Sequence, residues 1–97
     1  MADDGRYVVC YDVTDDKRRL KIVKLLEGYG DRVQYSVFEM AISPDQLSEL
    51  VEKLLGQLDA GADRATVYAI CAACERRVIR LGRAAGVVPG EEEVFIA

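Results

Sequence analysis

The chain has 97 residues, 51% hydrophobic and 31% charged, with 13 Lys and Arg against 17 Asp and Glu, a net charge of -4, and no histidine. That balance belongs to one folded domain and not to a disordered chain; at this size the core stabilises a monomer only marginally, so dimerisation is expected. The absence of histidine removes the usual general base and the commonest zinc ligand, leaving carboxylates, Tyr, Lys and Cys for any acid–base or metal chemistry.

Residues 6–13 are apolar on both faces, as a central strand requires. Val8, Cys10 and Asp12 share one face, and Tyr7, Val9, Tyr11 and Val13 share the other. Thr14 is the expected N-cap of the first helix, with Asp15 and Asp16 complementing its dipole. Ile22, Leu25, Leu26 and Tyr29 recur at helical spacing, Lys17, Lys21 and Lys24 lie opposite, and Gly28 and Gly30 supply the stop. Residues 32–42 read as two strands joined by a tight turn near Tyr35 and Ser36. Ser43, Pro44 and Gln46 open the second helix as N-cap, N1 and N3 of a near capping box, and Leu47, Leu50, Val51, Leu54 and Leu58 continue it. After a loop over residues 59–63, residues 64–71 form another strand and residues 78–81 a short one. Gly82, Gly86, Pro89 and Gly90 then break the chain. Residues 94–96 are too few to fold alone and must join an existing sheet edge.

Strand, helix, strand, strand, helix, strand is the order of an α+β, ferredoxin-like βαββαβ fold, with both helices on one face of a four-stranded antiparallel sheet. The opposite face stays open, and its Tyr and Val side chains make it a dimer surface. The longest uncharged apolar run, residues 66–74, is too short to span a bilayer, and the N-terminus lacks the regions of a signal peptide, so no membrane association and a cytoplasmic location are expected.

The negative net charge speaks against a nucleic-acid partner, but its distribution weakens that objection. Between Gly5 and Gly90 there are 13 basic and 12 acidic residues, the excess acid lying in Asp3, Asp4 and Glu91, Glu92 and Glu93. Arg76, Arg77, Arg80 and Arg83 form a cluster dense enough to meet phosphate, whereas the lysine stripe has the ordinary reading of a solvated face. Asp12, at a rigid strand end, has two readings: a ligand for a hard cation, or a hydrogen-bond acceptor for the turn into the helix. One carboxylate is a poor magnesium site, and two copies across a twofold axis make a better one. Cys71 and Cys74 form a CxxC without the further ligands a zinc site needs, so buried or half-buried ordinary thiols are expected. Tyr35 and Phe38 lack the paired aromatic motif of an RNA-recognition module and read as core or interface packing.

YVVCYDVTDDKRR, RVQYSVFE, a Ser-Pro helix start and VYAICAACERRVIRLG together resemble the small CRISPR-associated endoribonuclease family, CRISPR-associated protein two, over about Tyr7 to Gly82. The resemblance implies a homodimer in which a C-terminal strand completes the partner's sheet, dividing the chain into a ferredoxin-like domain, residues 1–82, and a linker with swapped strand, residues 83–97. It implies a magnesium-dependent nuclease for single-stranded RNA or double-stranded DNA that acts with the CRISPR integrase in spacer acquisition. Asp12 takes the metal-binding and catalytic position beside Tyr11, and nucleic-acid handling falls to Arg19, Arg32 and Phe38, with Lys21 replacing an arginine; Arg76 and Arg77 join them from the basic cluster. A non-catalytic DNA-binding adaptor dimer is the competing reading. A small-molecule-sensing domain and a toxin-type ribonuclease of related fold stand behind it.

Overall fold

The computed structural model describes residues 4–82. Its elements are β1 (Gly5–Asp12), α1 (Asp16–Glu27), β2 (Asp31–Gln34), β3 (Val37–Ile42), α2 (Pro44–Gln57), β4 (Arg64–Ile70) and a short α3 (Ala72–Glu75). The strands form an antiparallel sheet in the order β2-β3-β1-β4, the arrangement expected of the ferredoxin-like pattern.

The period-2 alternation of β1 decides which side is buried. Val9, Tyr11 and Val13 join Phe38, Met40 and Ile42 of β3 on one face. Ile22, Val23 and Leu26 of α1 and Leu50 and Leu54 of α2 cover them, completing a two-layer core. Each such side chain contributes about 1.5–3 kcal/mol by leaving water. Gly30 is required where α1 turns into β2, because a Cβ there would overlap the Glu39 carbonyl oxygen and the Met40 side chain. The Ser43 capping box forms in both directions, with Pro44 at the helix start.

Two expectations are corrected here. The N-cap of α1 is Asp15, not Thr14: its carboxylate accepts from the Arg18 N–H at 2.8 Å, and a carboxylate also suits the positive end of the helix dipole better than a hydroxyl. The expected stripe of α1 does pack inward, with Ile22 and Leu26 buried, Leu25 and Tyr29 partly buried against the core, and Val23 buried beside them. Residues 78–81 form no strand. The chain instead turns into α3 and returns across the open face, where Glu75 accepts from Arg6 Nε at 3.0 Å and Arg80 donates to both oxygens of Glu39 at 2.8 and 3.1 Å. A strand needs a sheet edge, and a segment lying over a face has none. Residues 94–96, expected to pair with an edge, lie outside the described residues. No helix among the described residues is long and apolar enough to cross a membrane.

Candidate nucleic-acid interface

Several chain segments meet at the end of β1. The start of α1, the β2–β3 turn and the start of β4 all converge there. Tyr11 is fixed in the core and its hydroxyl donates to the Tyr35 carbonyl at 2.9 Å, while its N–H donates to the Ser36 carbonyl at 3.1 Å. Arg32 Nε and Nη2 donate to that same Tyr35 carbonyl at 3.1 and 2.7 Å, and the guanidinium lies 5.2 Å from the centre of the Tyr35 ring. On the α1 side, Arg19 donates to the Val13 carbonyl at 2.9 Å and pairs with Asp16. The Asp16 hydrogen bond raises the Arg19 pKa, and the nearby phenols of Tyr35 and Tyr11 act in the same direction.

Asp63 ties the loop before β4 to this rim. Its carboxylate accepts from Arg18 Nε at 2.7 Å and Nη2 at 3.1 Å, from the Asp59 N–H at 2.9 Å and from the Thr14 N–H at 3.4 Å. The Arg18 hydrogen bond, followed by that from the Asp59 backbone, holds the Asp63 pKa down to about 2. The strand end that carries Asp12 is therefore rigidly anchored on both sides.

Asp12 is exposed and lies on the face opposite Tyr11, with Val8 and Cys10 on its own strand and Arg64 as its cross-strand partner. Among the described residues no cluster of three or more Asp, Glu, Cys or His is placed to hold a metal ion. The donor type and rigidity fit a magnesium ion, but one chain brings a single carboxylate, so a site of this kind takes a second copy facing the same sheet surface. Val37, Thr66 and Tyr68 share that surface by register.

The other candidates separate. Tyr11 and Arg32 come together at Tyr35, Arg19 is held at the Val13 carbonyl and Asp16 near the start of α1, Asp12 stands on the opposite face of the strand end, and Lys21 is exposed along α1. Phe38 is corrected: its ring is 0% exposed between the sheet and the helices, so it holds the core and offers no face to a base. Arg76 and Arg77 are exposed just after α3, at the opposite end of the sheet, where Arg6 of β1 pairs with Glu75. Arg80 is committed to Glu39, and Arg83 lies outside the described residues. Cys71 and Cys74 are exposed, contrary to the burial expected of them, because the turn after β4 leaves the sheet. Tyr35, expected to pack, is instead 73% exposed. Its position in the two-residue turn between β2 and β3 was the available signal, since turn tips project from a sheet.

Residues 5–78 match the model of the family described as CRISPR associated protein Cas2. This chain belongs to the Cas2 family. It is 48% identical over 78 residues to the CRISPR-associated endoribonuclease Cas2 4 of Rhodospirillum rubrum, an alignment covering 80% of this chain and 63% of that relative's own length. Among solved structures, Streptococcus pyogenes Cas2 at pH 6.5 superposes with a TM-score of 0.70 at 33% identity, covering 79% of this chain and 99% of that one. A chain from a partial Cas6-RT-Cas1–Cas2 complex matches with a TM-score of 0.64 at 32% identity, covering 76% and 87%. The Cas2 fold thus accounts for the element order, the antiparallel sheet and the position of β1 at its centre.

Proposed function

We propose that this Cas2-family chain acts as a homodimeric, magnesium-dependent endonuclease of CRISPR adaptive immunity, working in the cytoplasm with the CRISPR integrase during spacer acquisition. The observation that carries the reading is Asp12, an exposed carboxylate at the anchored end of the central strand, on the face that the helices leave open. The endoribonuclease named among the relatives and the Cas1–Cas2 assembly among the structural neighbours support it.

Asp12 and its twin from a second copy would hold the ion between them. The chemistry such an ion supplies when bound is activation of a water and polarisation of the scissile phosphodiester. β1 keeps the carboxylate in place, since its end is fixed through Tyr11, Val13 and Thr14. Arg64, in register with Asp12 on the same face, sets a guanidinium where an approaching phosphate gains charge neutralisation. RNA and duplex DNA are both accommodated by backbone recognition of this kind.

Asp12→Ala is expected to lower magnesium-stimulated cleavage of RNA or duplex DNA by at least about 100-fold, corresponding to the several kcal/mol a metal contributes. Calorimetric titration with magnesium alone should show binding to the wild type and none to the variant, and sedimentation should show a dimer. Undiminished cleavage by Asp12→Ala, or a lone subunit in solution, sinks the nuclease reading. The single carboxylate per chain favours a second reading, a non-catalytic adaptor that binds duplex through its basic patches. In that case Asp12→Ala keeps salt-sensitive duplex binding while charge reversal at Arg76 and Arg77 abolishes it.

A further inference from the structure

We propose that Tyr35 is a stacking platform for an unpaired nucleobase and that Arg32 is its positioning residue; the inference rests on the nucleic-acid reading above and names a contact within it. A large aromatic ring 73% exposed at the tip of a two-residue turn gives up the burial that usually stabilises tyrosine in a fold. An exposed turn tip is ordinarily the most mobile part of a sheet. This one is held in place. Its main-chain carbonyl accepts three hydrogen bonds, from the Tyr11 hydroxyl at 2.9 Å and from Arg32 Nε and Nη2 at 3.1 and 2.7 Å. Tyr11 is itself only 5% exposed, so the tip is fixed directly to the core.

The guanidinium of Arg32, 5.2 Å from the ring centre, adds a cation–π contact that restrains the ring as well as the backbone. Arg32 thus spends its donors on Tyr35 and not on a phosphate. Arg19 is committed elsewhere on the rim, to the Val13 carbonyl and Asp16. A flat, exposed aromatic surface pinned at a turn tip matches one ligand chemistry, the face of an unpaired nucleobase. A base still paired in a duplex does not present its face, so the platform selects single strands or frayed ends. It is pinned to the end of β1 through Tyr11, the residue before Asp12.

The variants are informative because all three pins reach the Tyr35 main chain, and the Tyr35→Ala backbone keeps every one of them. The test is fluorescence anisotropy of a labelled single-stranded oligonucleotide, with circular dichroism as the check on folding. Tyr35→Ala should weaken single-strand binding by about 5-fold to 100-fold, the value of one base–aromatic stack, while Tyr35→Phe stays within about two-fold of wild type. An oligonucleotide with abasic residues should show no difference between wild type and Tyr35→Ala. Arg32→Lys, which keeps the charge but loses the paired donation to the carbonyl, should weaken stacking and reduce quenching of 2-aminopurine placed in the strand. Equal binding by wild type and Tyr35→Ala overturns the platform while leaving the nucleic-acid reading intact. An equal loss on a covalently closed circular duplex, which has no ends to fray, also overturns it. Failure of the wild type to bind any nucleic acid overturns both.

Discussion

The two ends of the sheet use the same residue types to opposite effect. At the end where β1 finishes, Arg18, Arg19 and Arg32 are all engaged, by Asp63, by the Val13 carbonyl with Asp16, and by the Tyr35 carbonyl. At the end where β4 finishes, residues 71–79 are all exposed, and Arg76 and Arg77 make no ion pair among the described residues. An arginine whose donors are filled by carbonyls builds a surface. One held only by solvent can meet a phosphate from any direction, at the cost of specificity. The first end is therefore suited to placing a carboxylate and a ring, and the second to general attraction of a charged backbone.

The contrast predicts very unequal responses to mutation. Phe38→Ala should cost about 3–5 kcal/mol in chemical denaturation, as expected for a large ring removed from a close-packed core, whereas Arg77→Ala should stay within about 0.5 kcal/mol. If Phe38→Leu retains folding but loses nucleic-acid binding outright, Phe38 does more than hold the core. At the anchored end, Asp63→Asn should destabilise the fold and loosen the rim, measured as faster amide hydrogen exchange at Thr14 and Arg64; unchanged exchange would break the comparison.

The acid response follows from the same carboxylate. Asp63 has its folded pKa lowered from 3.8 to about 2, so the unfolded chain takes up the proton first as pH falls. Its stabilising contribution is complete above about 4 and is lost as pH drops from 3.8 toward 2. Asp63→Asn should flatten the acid limb of the stability curve in that window; an identical limb would show that the Arg18 pair does not couple to folding.

At the opposite end the effects are smaller. Arg80→Ala should speed limited proteolysis within residues 71–82 while leaving the sheet resistant, because it removes one of the two ion pairs that hold this segment to the open face. The smallest difference concerns two thiols. The Cys74 N–H donates to the Cys71 sulfur at 3.4 Å and the Cys74 thiol also donates to it, so the Cys71 pKa is lowered and that of Cys74 raised. Cys71 should therefore be alkylated faster than Cys74 near neutral pH by peptide mass spectrometry, and equal rates would contradict the hydrogen-bond direction.

Local chemistry made much of this legible in advance. The alternation of β1 placed Val9, Tyr11 and Val13 inside and Asp12 outside, because a strand's side chains change face at every residue. The Ser43 capping box and the turn at Tyr35 and Ser36 are likewise written in short stretches of chain. What failed depended on distant partners. Phe38, expected from its own residue type to pack, is assigned to nucleic acid only through the resemblance, and burial under the helices bears out the packing reading. Residues 78–81 looked like a strand because β-propensity carries no information about whether an edge is within reach.

The amino-acid order by itself determined the elements from β1 to β4, their sequence and the side of β1 on which Asp12 lies, since period, capping and turn chemistry act over a few residues. Only the tertiary structure decided that Arg32 and Tyr11 meet at one carbonyl, that Asp63 reaches Arg18 across 45 positions in the chain, and that Arg76 and Arg77 stand at the opposite end from Asp12. Those contacts come from strand order and helix docking, which bring remote segments together and which no local pattern encodes.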